Sequence, residues 1–431
     1  MKVKSVIETR VLDLESRLEE TSLKLSDLST MATLVTSLLD IESILSVAME
    51  MAIRMAGGEV GAILIEENNE LVSRITWGVD DALVKSIRYR DGEDVASFAF
   101  HKQTPVVENA YNFPVEHGPR IESLLAMPIS SRARCHGTIL IINKTSGTGF
   151  TDADKENLKL LAQFAAIAID NSMLLKESLV KQKMEQELVT ATEIQSAILP
   201  DKDIKINGVE IGTLYIPARQ VGGDFYDIIR INDDEFMIVI GDVSNKGVPA
   251  ALVMSATIAI IRSQLTQFAV INPSDLMSHI NKILCTGIIK SESMFVTLFI
   301  ARFDLARRRL VYCNAGHPPP MYWNAREDKV KGLKIGGPFV GQFDDIAYKL
   351  GEEAVENGDH FFAFTDGLTE AADAKSRLFG LERAQQVFMA TRNLTAQAFC
   401  EQARDYVERF SRDGDAGNVD DLTILKIIMR F

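Results

Sequence analysis

The sequence predicts an α+β protein: two globular parts that mix helices with antiparallel strands, joined and preceded by long helices. Three observations carry this. Residues 37–172 run from a helical stretch through short apolar segments bounded by turn residues to a second helical stretch. Residues 156–199 hold neither glycine nor proline and keep apolar side chains at helical spacing until Pro200. Residues 201–431 carry many short apolar runs, several of them ending at an Asp beside a Gly.

Composition bounds the function. A chain of 431 residues, 46% of them hydrophobic, is long and apolar enough for two or three domains with real cores, which excludes wholesale disorder. Lys and Arg number 46 against 60 Asp and Glu, a formal net charge of −14, so no nucleic-acid partner held by bulk phosphate attraction is expected. Cys135, Cys285, Cys313 and Cys400 are far apart and form no CxxC pair, so neither a zinc site nor a disulfide framework is indicated. The N-terminus lacks the apolar core of a signal peptide, and no run of about 18 apolar residues is found; AALVMSATIAII at 250–261 suits a buried helix. The expectation is a soluble, cytoplasmic chain with no membrane partner.

The elements follow in order. In segment 1–36, Ile7, Val11, Leu14, Leu18, Thr21, Leu25 and Leu28 step by four and three, which lines one helix face with an apolar seam. Such a helix dimerises as a coiled coil or packs on its own domain. Segment 37–172 starts with a helix over 37–56, stopped by Gly57 and Gly58. Strands follow at 60–67 and 71–77 across Asn68 and Asn69, then at 124–130 and 137–144, and a helix begins at 152. Segment 173–199 continues that helix, with Met173, Val180, Met184, Leu188, Ala191, Ile194 and Ile198 at apolar spacing and Glu177, Lys181, Lys183, Glu185 and Glu187 on a solvated surface. It is a second coiled coil, a signal-transmitting connector or a rigid spacer.

In segment 200–431, acids stand at the ends of apolar runs. Asp224 and Asp227 lie in ARQVGGDFYD, Asp242 in FMIVIGDVSNKG, Asp366 in HFFAFTDGLTEA, and Asp420 and Asp421 in GNVDDLTIL. Carboxylates at neighbouring strand ends can converge at one sheet edge, and adjacent glycines let backbone approach an ion or a phosphate. Mg²⁺ and Mn²⁺ prefer such hard oxygen donors. A single Asp-Gly is only a turn signal; repeated in this setting it reads as a metal site.

Two resemblances sharpen the picture. Residues 37–172 resemble a GAF domain, a small-ligand or regulatory module. Asn143, Lys144, Phe150 and Asp154 match a signature found in part of that family, with Lys155 replacing its final acid. The resemblance implies a fold and leaves three roles open: a cyclic-nucleotide site, another small-molecule site, or a structural role. Residues 193–431 resemble the SpoIIE/RsbU-type branch of the PPM (PP2C-like) serine/threonine phosphatases through EIQSAILP, ARQVGGDFYD, GDVSNKGVPAALVMS, MFVTLFIARFD, CNAGHPPP, FTDGLTEA, FGLER and GNVDDLTIL, in the family's order.

The second resemblance implies an α/β/β/α sandwich holding two ions, Mn²⁺ or Mg²⁺. Asp224 and Asp242 would bind the pair, with Asp242 bridging and the Val243 carbonyl as a further ligand. Asp366 and Asp420 would complete the protein donors, with Asp421 either supporting the ligands from behind or a weaker candidate. It implies hydrolysis of a phosphoserine or phosphothreonine by an activated water. The substrate class it implies is a phosphorylated STAS-domain anti-sigma-factor antagonist of a partner-switching pathway, with the GAF domain as regulator. Arg219 could contact phosphate or pair with a carboxylate. His317 could donate a proton, touch substrate or order its Pro-rich loop with Asn314 and Gly316. Lys246 could contact substrate, and Cys313 belongs in the core. The competing reading is a catalytically weak signalling scaffold, or a small-ligand sensor acting by partner binding; the presence of all four aspartates weighs against it.

Overall fold

The computed structural model describes residues 40–431 apart from 79, 88–93, 111–119, 201–203, 268–271, 291–292 and 413–419, together with isolated positions between 18 and 33. Of the N-terminal seam only Leu18 is described, helical and exposed; the rest of that coiled-coil expectation lies outside the described residues. The chain falls into two compact units, Met1–Lys183 and Met184–Phe431.

In the first unit, helix α1 spans Ile41–Ala56. Its start differs from the expected 37 because Asp40 is extended and its carboxylate accepts the Ser43 amide at 3.0 Å, capping the helix there. Gly57 closes α1 at φ 63, a left-handed geometry that carries no Cβ clash in glycine. Strands β1 (Gly58–Glu67) and β2 (Glu70–Trp77) form a hairpin whose Asn68 and Asn69 both have positive φ. Helices α2 (Asp81–Ser86) and α3 (Val95–Lys102) lead to β3 (Val106–Glu108), β4 (Leu124–Ser130) and β5 (Cys135–Lys144).

These strands make one antiparallel sheet in the order β2-β1-β5-β4-β3. Side chains alternate across it. Ile63, Leu125, Met127, Ile139 and Ile141 pack with Ile44, Leu45 and Ala48 of α1, while Ala62, Leu64, Leu124, Ala126, Leu140 and Ile142 pack with Val95, Ala96 and Ala99 of α3. Helix α4 spans Asp152–Ile198, 47 residues and therefore about 70 Å. Thr151 and Asp154 cap its start reciprocally, and Lys144 pairs with Asp154. Leu158, Leu161, Ala165 and Ile169 complete the α1 core. Beyond them Leu174, Leu179, Val180, Met184, Val189 and Ile194 are exposed.

The second unit has two sheets. Strands β6 (Val209–Ile216), β7 (Phe225–Arg230) and β8 (Glu235–Val243) precede α5 (Val248–Gln267) and α6 (Pro273–Ile283), which ends in a π-helical turn at Leu284–Ile288. Then come β9 (Val296–Asp304), β10 (Arg309–Ala315), β11 (Met321–Asn324), β12 (Lys329–Gly332), β13 (Gly336–Gly337), β14 (Gly351–Ala354) and β15 (His360–Phe364). Helices α7 (Asp366–Thr369), α8 (Gly380–Ala390) and α9 (Ala396–Arg412) lead to β16 (Leu422–Met429). One sheet runs β13-β10-β9-β8-β7 with β14 beside β10, and the other β12-β11-β15-β16-β6.

Alternation along β8 explains the layering. Phe236, Ile238 and Ile240 join Phe299, Phe303, Phe361, Leu425 and Ile427 between the sheets, while Met237 and Val239 face Met254, Ile258, Leu276 and Ile280 of α5 and α6. On the far side, Phe362, Phe364 and Ile424 pack with Phe388, Phe399 and Ala403 of α8 and α9. Each such side chain contributes about 1.5–3 kcal/mol by leaving water. The result is helix, sheet, sheet, helix.

Among the described residues, two helices, α4 and α5, are long and apolar enough to cross a membrane by length and hydropathy, although no unbroken apolar run reaches that length. Both have a core role: α5 buries Ala250, Met254, Ile258 and Ile261 against the first sheet, and α4 buries its first turns.

Candidate metal centre

The pairing of strands brings the acids together. The start of β7 lies beside the end of β8, with Phe225 opposite Gly241, so Asp224 and Asp242 are neighbours at one edge of the first sheet. The end of β15 lies beside the start of β16, with Phe364 opposite Ile424, which brings Asp366 and Asp420 to an edge of the second. Asp224 ties the edges together: its Oδ2 accepts the Thr365 hydroxyl at 2.6 Å and the Thr423 hydroxyl at 2.7 Å. Each threonine is adjacent to or near one of the second sheet's acids, so the sandwich is stitched at the site itself.

Gly223 allows the close approach. A Cβ there would lie 2.8 Å from the Val243 carbonyl oxygen and 3.4 Å from Asp242 Oδ1, so a side chain would fill the space between the two expected donors.

The electrostatics fit a cation. Burial, and then the charge of Asp242, hold the Asp224 carboxyl well above the ordinary carboxylate range. Burial, then the charges of Asp366 and Asp420, push Asp242 up to about 7. Burial, then Asp420 and Glu370, push Asp366 up to about 6. Carboxylates that oppose one another's ionisation in a shielded place are relieved by a divalent ion, and oxygen is the donor that Mg²⁺ and Mn²⁺ accept.

The four expected aspartates do not form one tight ring. Carboxylate oxygens of Asp366, Glu370 and Asp420 lie within 4.8 Å of one another, whereas Asp224 and Asp242 form a more buried pair beside them. Glu370 was not among the expected residues. Its signal was present in FTDGLTEA: Asp366 and Glu370 are four apart, on one face of a helical turn.

Asp421 does a different job from its neighbour. Its Oδ1 accepts the Ala218 amide at 2.7 Å, and its Oδ2 accepts the amides of Gly223 at 2.7 Å and Asp224 at 3.3 Å. Both oxygens therefore hold the loop that carries Asp224. Asp227 is also away from the centre. It faces the helices and pairs with Arg262 at 2.7 Å, and Arg262 in turn donates to the Ile198 carbonyl at 2.8 Å.

The remaining candidates separate cleanly. Lys246 Nζ lies 3.0 Å from Asp420 Oδ2, while Arg219 is exposed on the loop before Asp224. His317 is buried, and burial pushes its ring down to about 3, so it is neutral. Its Nδ1 meets the Thr297 hydroxyl at 3.1 Å, and its backbone amide donates to Asn314 Oδ1 at 2.9 Å. It orders the loop after β10, where Gly316 adopts φ 68. Cys313 is fully buried and its thiol is pushed up to about 12 by burial, which makes it core. In the first unit, Asn143 accepts the Glu122 amide at 2.8 Å and donates to the Arg120 carbonyl at 2.9 Å. With the Lys144–Asp154 pair, the signature residues hold their own fold together.

Comparison with known proteins agrees with this layout. Residues 40–169 match the GAF domain family, and residues 232–430 match the family described as Stage II sporulation protein E (SpoIIE). Over 191 residues the chain is 30% identical to phosphoserine phosphatase RsbU of Bacillus subtilis, covering 44% of this chain and 56% of that protein. Over 203 residues it is 26% identical to phosphoserine phosphatase RsbP of the same organism, covering 47% of this chain and 49% of that one. The chain thus spans about half the length of these relatives. Among solved structures, the SiaA PP2C domain of Pseudomonas aeruginosa superposes with a TM-score of 0.52 at 23% identity, covering 58% of this chain and 98% of that domain. The chain therefore carries a PP2C-like phosphatase fold of the SpoIIE/RsbU type, preceded by a GAF domain.

Proposed function

We propose that this protein is a metal-dependent protein serine/threonine phosphatase whose substrate is a phosphorylated STAS-domain antagonist in a partner-switching pathway. The observation that carries the reading is the convergence of Asp224, Asp242, Asp366 and Asp420, from both sheets, at one edge of the sandwich. The names of RsbU and RsbP support the phosphoserine chemistry. The STAS substrate follows from the resemblance to that branch.

Asp224, Asp242, the Val243 carbonyl, Asp366 and Asp420 would hold two ions, Mn²⁺ or Mg²⁺, and Glu370 adds a carboxylate on the solvent side. When bound, the ions supply charge against the phosphoryl oxygens and activate a water. The protein's part is to fix the donors. Asp421 fixes the loop of Asp224, Thr365 and Thr423 orient its carboxylate, and Gly223 lets donors from β7 and β8 approach. No side chain is needed as a covalent nucleophile.

The proposed domains are 1–36, a coiled-coil helix; 37–172, the GAF sensor; 173–199, a helical connector; and 200–431, the phosphatase. The exposed apolar residues of α4 support a homodimer through that helix. A polar cleft of about 420 Å³, lined in part by Arg120, Ser123, Lys144 and Thr145, is a place for a small GAF ligand. The proposed location is the cytoplasm.

The test is phosphate release from phospho-STAS proteins by the full chain with Mn²⁺ or Mg²⁺, against Asp242→Asn and against residues 193–431. Turnover that survives in Asp242→Asn overturns the metal assignment. A full chain that binds the phosphoprotein but releases no phosphate supports the scaffold reading instead. Equal rates for full chain and fragment remove the regulatory role of 1–192.

A further inference from the structure

We infer that Lys246 is a built-in cation that competes with divalent metal for Asp420, so that metal and phosphate bind the site cooperatively. The inference rests on the metal-centre reading above and concerns how this chain controls that centre.

The loop between β8 and α5 is held on both sides of Lys246. Before it, the Ser244 amide donates to the Phe295 carbonyl at 2.9 Å and the Ser244 hydroxyl accepts the Phe295 amide at 2.8 Å. Asn245 and Gly247 flank it with φ 74 and φ 79, a kinked backbone that fixes where the side chain leaves the loop. From there Nζ reaches Asp420 Oδ2 at 3.0 Å. The other oxygen, Oδ1, accepts the Asp421 amide at 3.0 Å. Asp420 therefore has one oxygen on backbone and one on an ammonium.

Asp420 is also one corner of the Asp366, Glu370 and Asp420 group. An ammonium on Oδ2 takes one of its lone pairs and places a positive charge beside it, so it competes with a divalent ion for this oxygen. The ammonium charge also reaches Asp366, whose carboxyl it favours in the ionised form. In the free protein Lys246 thus offsets part of the repulsion that a metal would otherwise relieve. The lysine side chain is about a third exposed, at 36%, so it can swing away without breaking the core.

Once off Asp420, Lys246 remains at the rim of the carboxylate group, and a phosphate dianion bound at that centre would give it a new partner. Thermodynamic reciprocity then requires that phosphate tighten metal binding by the factor by which metal tightens phosphate. A lysine that only contacted substrate would leave the affinity for metal alone untouched.

The experiment is calorimetric titration of the full chain with Mn²⁺, with and without a low, non-precipitating concentration of inorganic phosphate. It compares wild type, Lys246→Met and Lys246→Arg, with circular dichroism and melting as controls for folding. The expected result is Mn²⁺ affinity about fivefold higher in Lys246→Met, the factor that a partly exposed ion pair supplies. Affinity in Lys246→Arg should stay near wild type, and the phosphate effect on Mn²⁺ affinity should be smaller in Lys246→Met, where only direct contact between metal and phosphate remains. Equal or weaker Mn²⁺ binding by a folded Lys246→Met overturns this inference and leaves the metal centre standing. Absence of Mn²⁺ binding in both wild type and Lys246→Met overturns the metal centre and the inference with it.

Discussion

Asp421 Oδ2 accepts the backbone amide of Gly223 at 2.7 Å, across 198 residues of chain. The same carboxylate also holds the amides of Ala218 and Asp224. Asp421→Ala would leave these buried donors unpaired, at a cost of about 2 kcal/mol or more. It would also let the Asp224 loop drift, lowering metal affinity by about 10- to 100-fold. Urea unfolding and Mn²⁺ titration read the two effects. A fall in metal affinity with no loss of stability would instead make Asp421 a direct ligand.

Asp242→Asn separates ligand from support. Turnover should fall by more than the roughly 100-fold typical of residues that only orient ligands. The metal-free protein should melt higher, because one charge leaves a cluster whose members oppose one another's ionisation. Phosphate release and thermal melts in chelator check both. A lower metal-free melting temperature would show that Asp242 stabilises the fold rather than straining it.

Much of this site was legible in the sequence because strand ends announce themselves: an apolar run, an acid and a glycine. That pattern points to Asp224, Asp227, Asp242, Asp366, Asp420 and Asp421 alike, and the family resemblance singles out Asp224, Asp242, Asp366 and Asp420 among them. Glu370 was missed because its place depends on a single helical turn starting at Asp366, and a four-residue helix has no periodicity to detect. The sequence left Asp421 open between a supporting role and a weaker ligand for another reason. Adjacent residues on an extended strand point to opposite sides, but which of two neighbouring aspartates meets backbone depends on a loop 198 residues away. The start of α1 moved from 37 to Ile41 because one capping side chain outweighs a continuous apolar pattern.

The raised carboxyls predict a pH dependence in the metal-free protein. Asp242 is pushed up to about 7 and Asp366 to about 6, above the ordinary value near 4 of the unfolded chain. Between those limits these two carboxyls hold more protons in the folded state than in the unfolded one, so their contribution to stability falls as pH rises from about 4 to about 7. Mn²⁺ should flatten or reverse that slope, because bound metal favours the ionised carboxylates and releases protons. Melting temperatures in chelator and in Mn²⁺ across this range test it. A chelated Asp242→Asn protein whose stability changes with pH across this window as the wild type's does contradicts the mutual repulsion described here.

Lys426 predicts a second slope of opposite sign in a separate window. Its side chain is fully buried on β16, with Nζ 3.2 Å from His360 Nδ1 and 4.0 and 4.4 Å from the ring centroids of Phe388 and Phe399. Burial pulls the amine down to about 7, well below its unfolded value near 10.4. The folded state therefore binds fewer protons than the unfolded state between these limits, and stability rises with pH from about 7 to about 10. Lys426→Met keeps the volume and the aromatic contacts and removes the buried charge. It should abolish that upward slope and leave stability at pH 7 equal or higher, as replacing buried ionic groups by well-packed apolar ones often does. Urea unfolding of both proteins from pH 7 to 10 measures the difference. A Lys426→Met protein destabilised by several kcal/mol at pH 7 would mean that the ammonium, held between two rings and an imidazole, is a net contributor to the core of the second sheet.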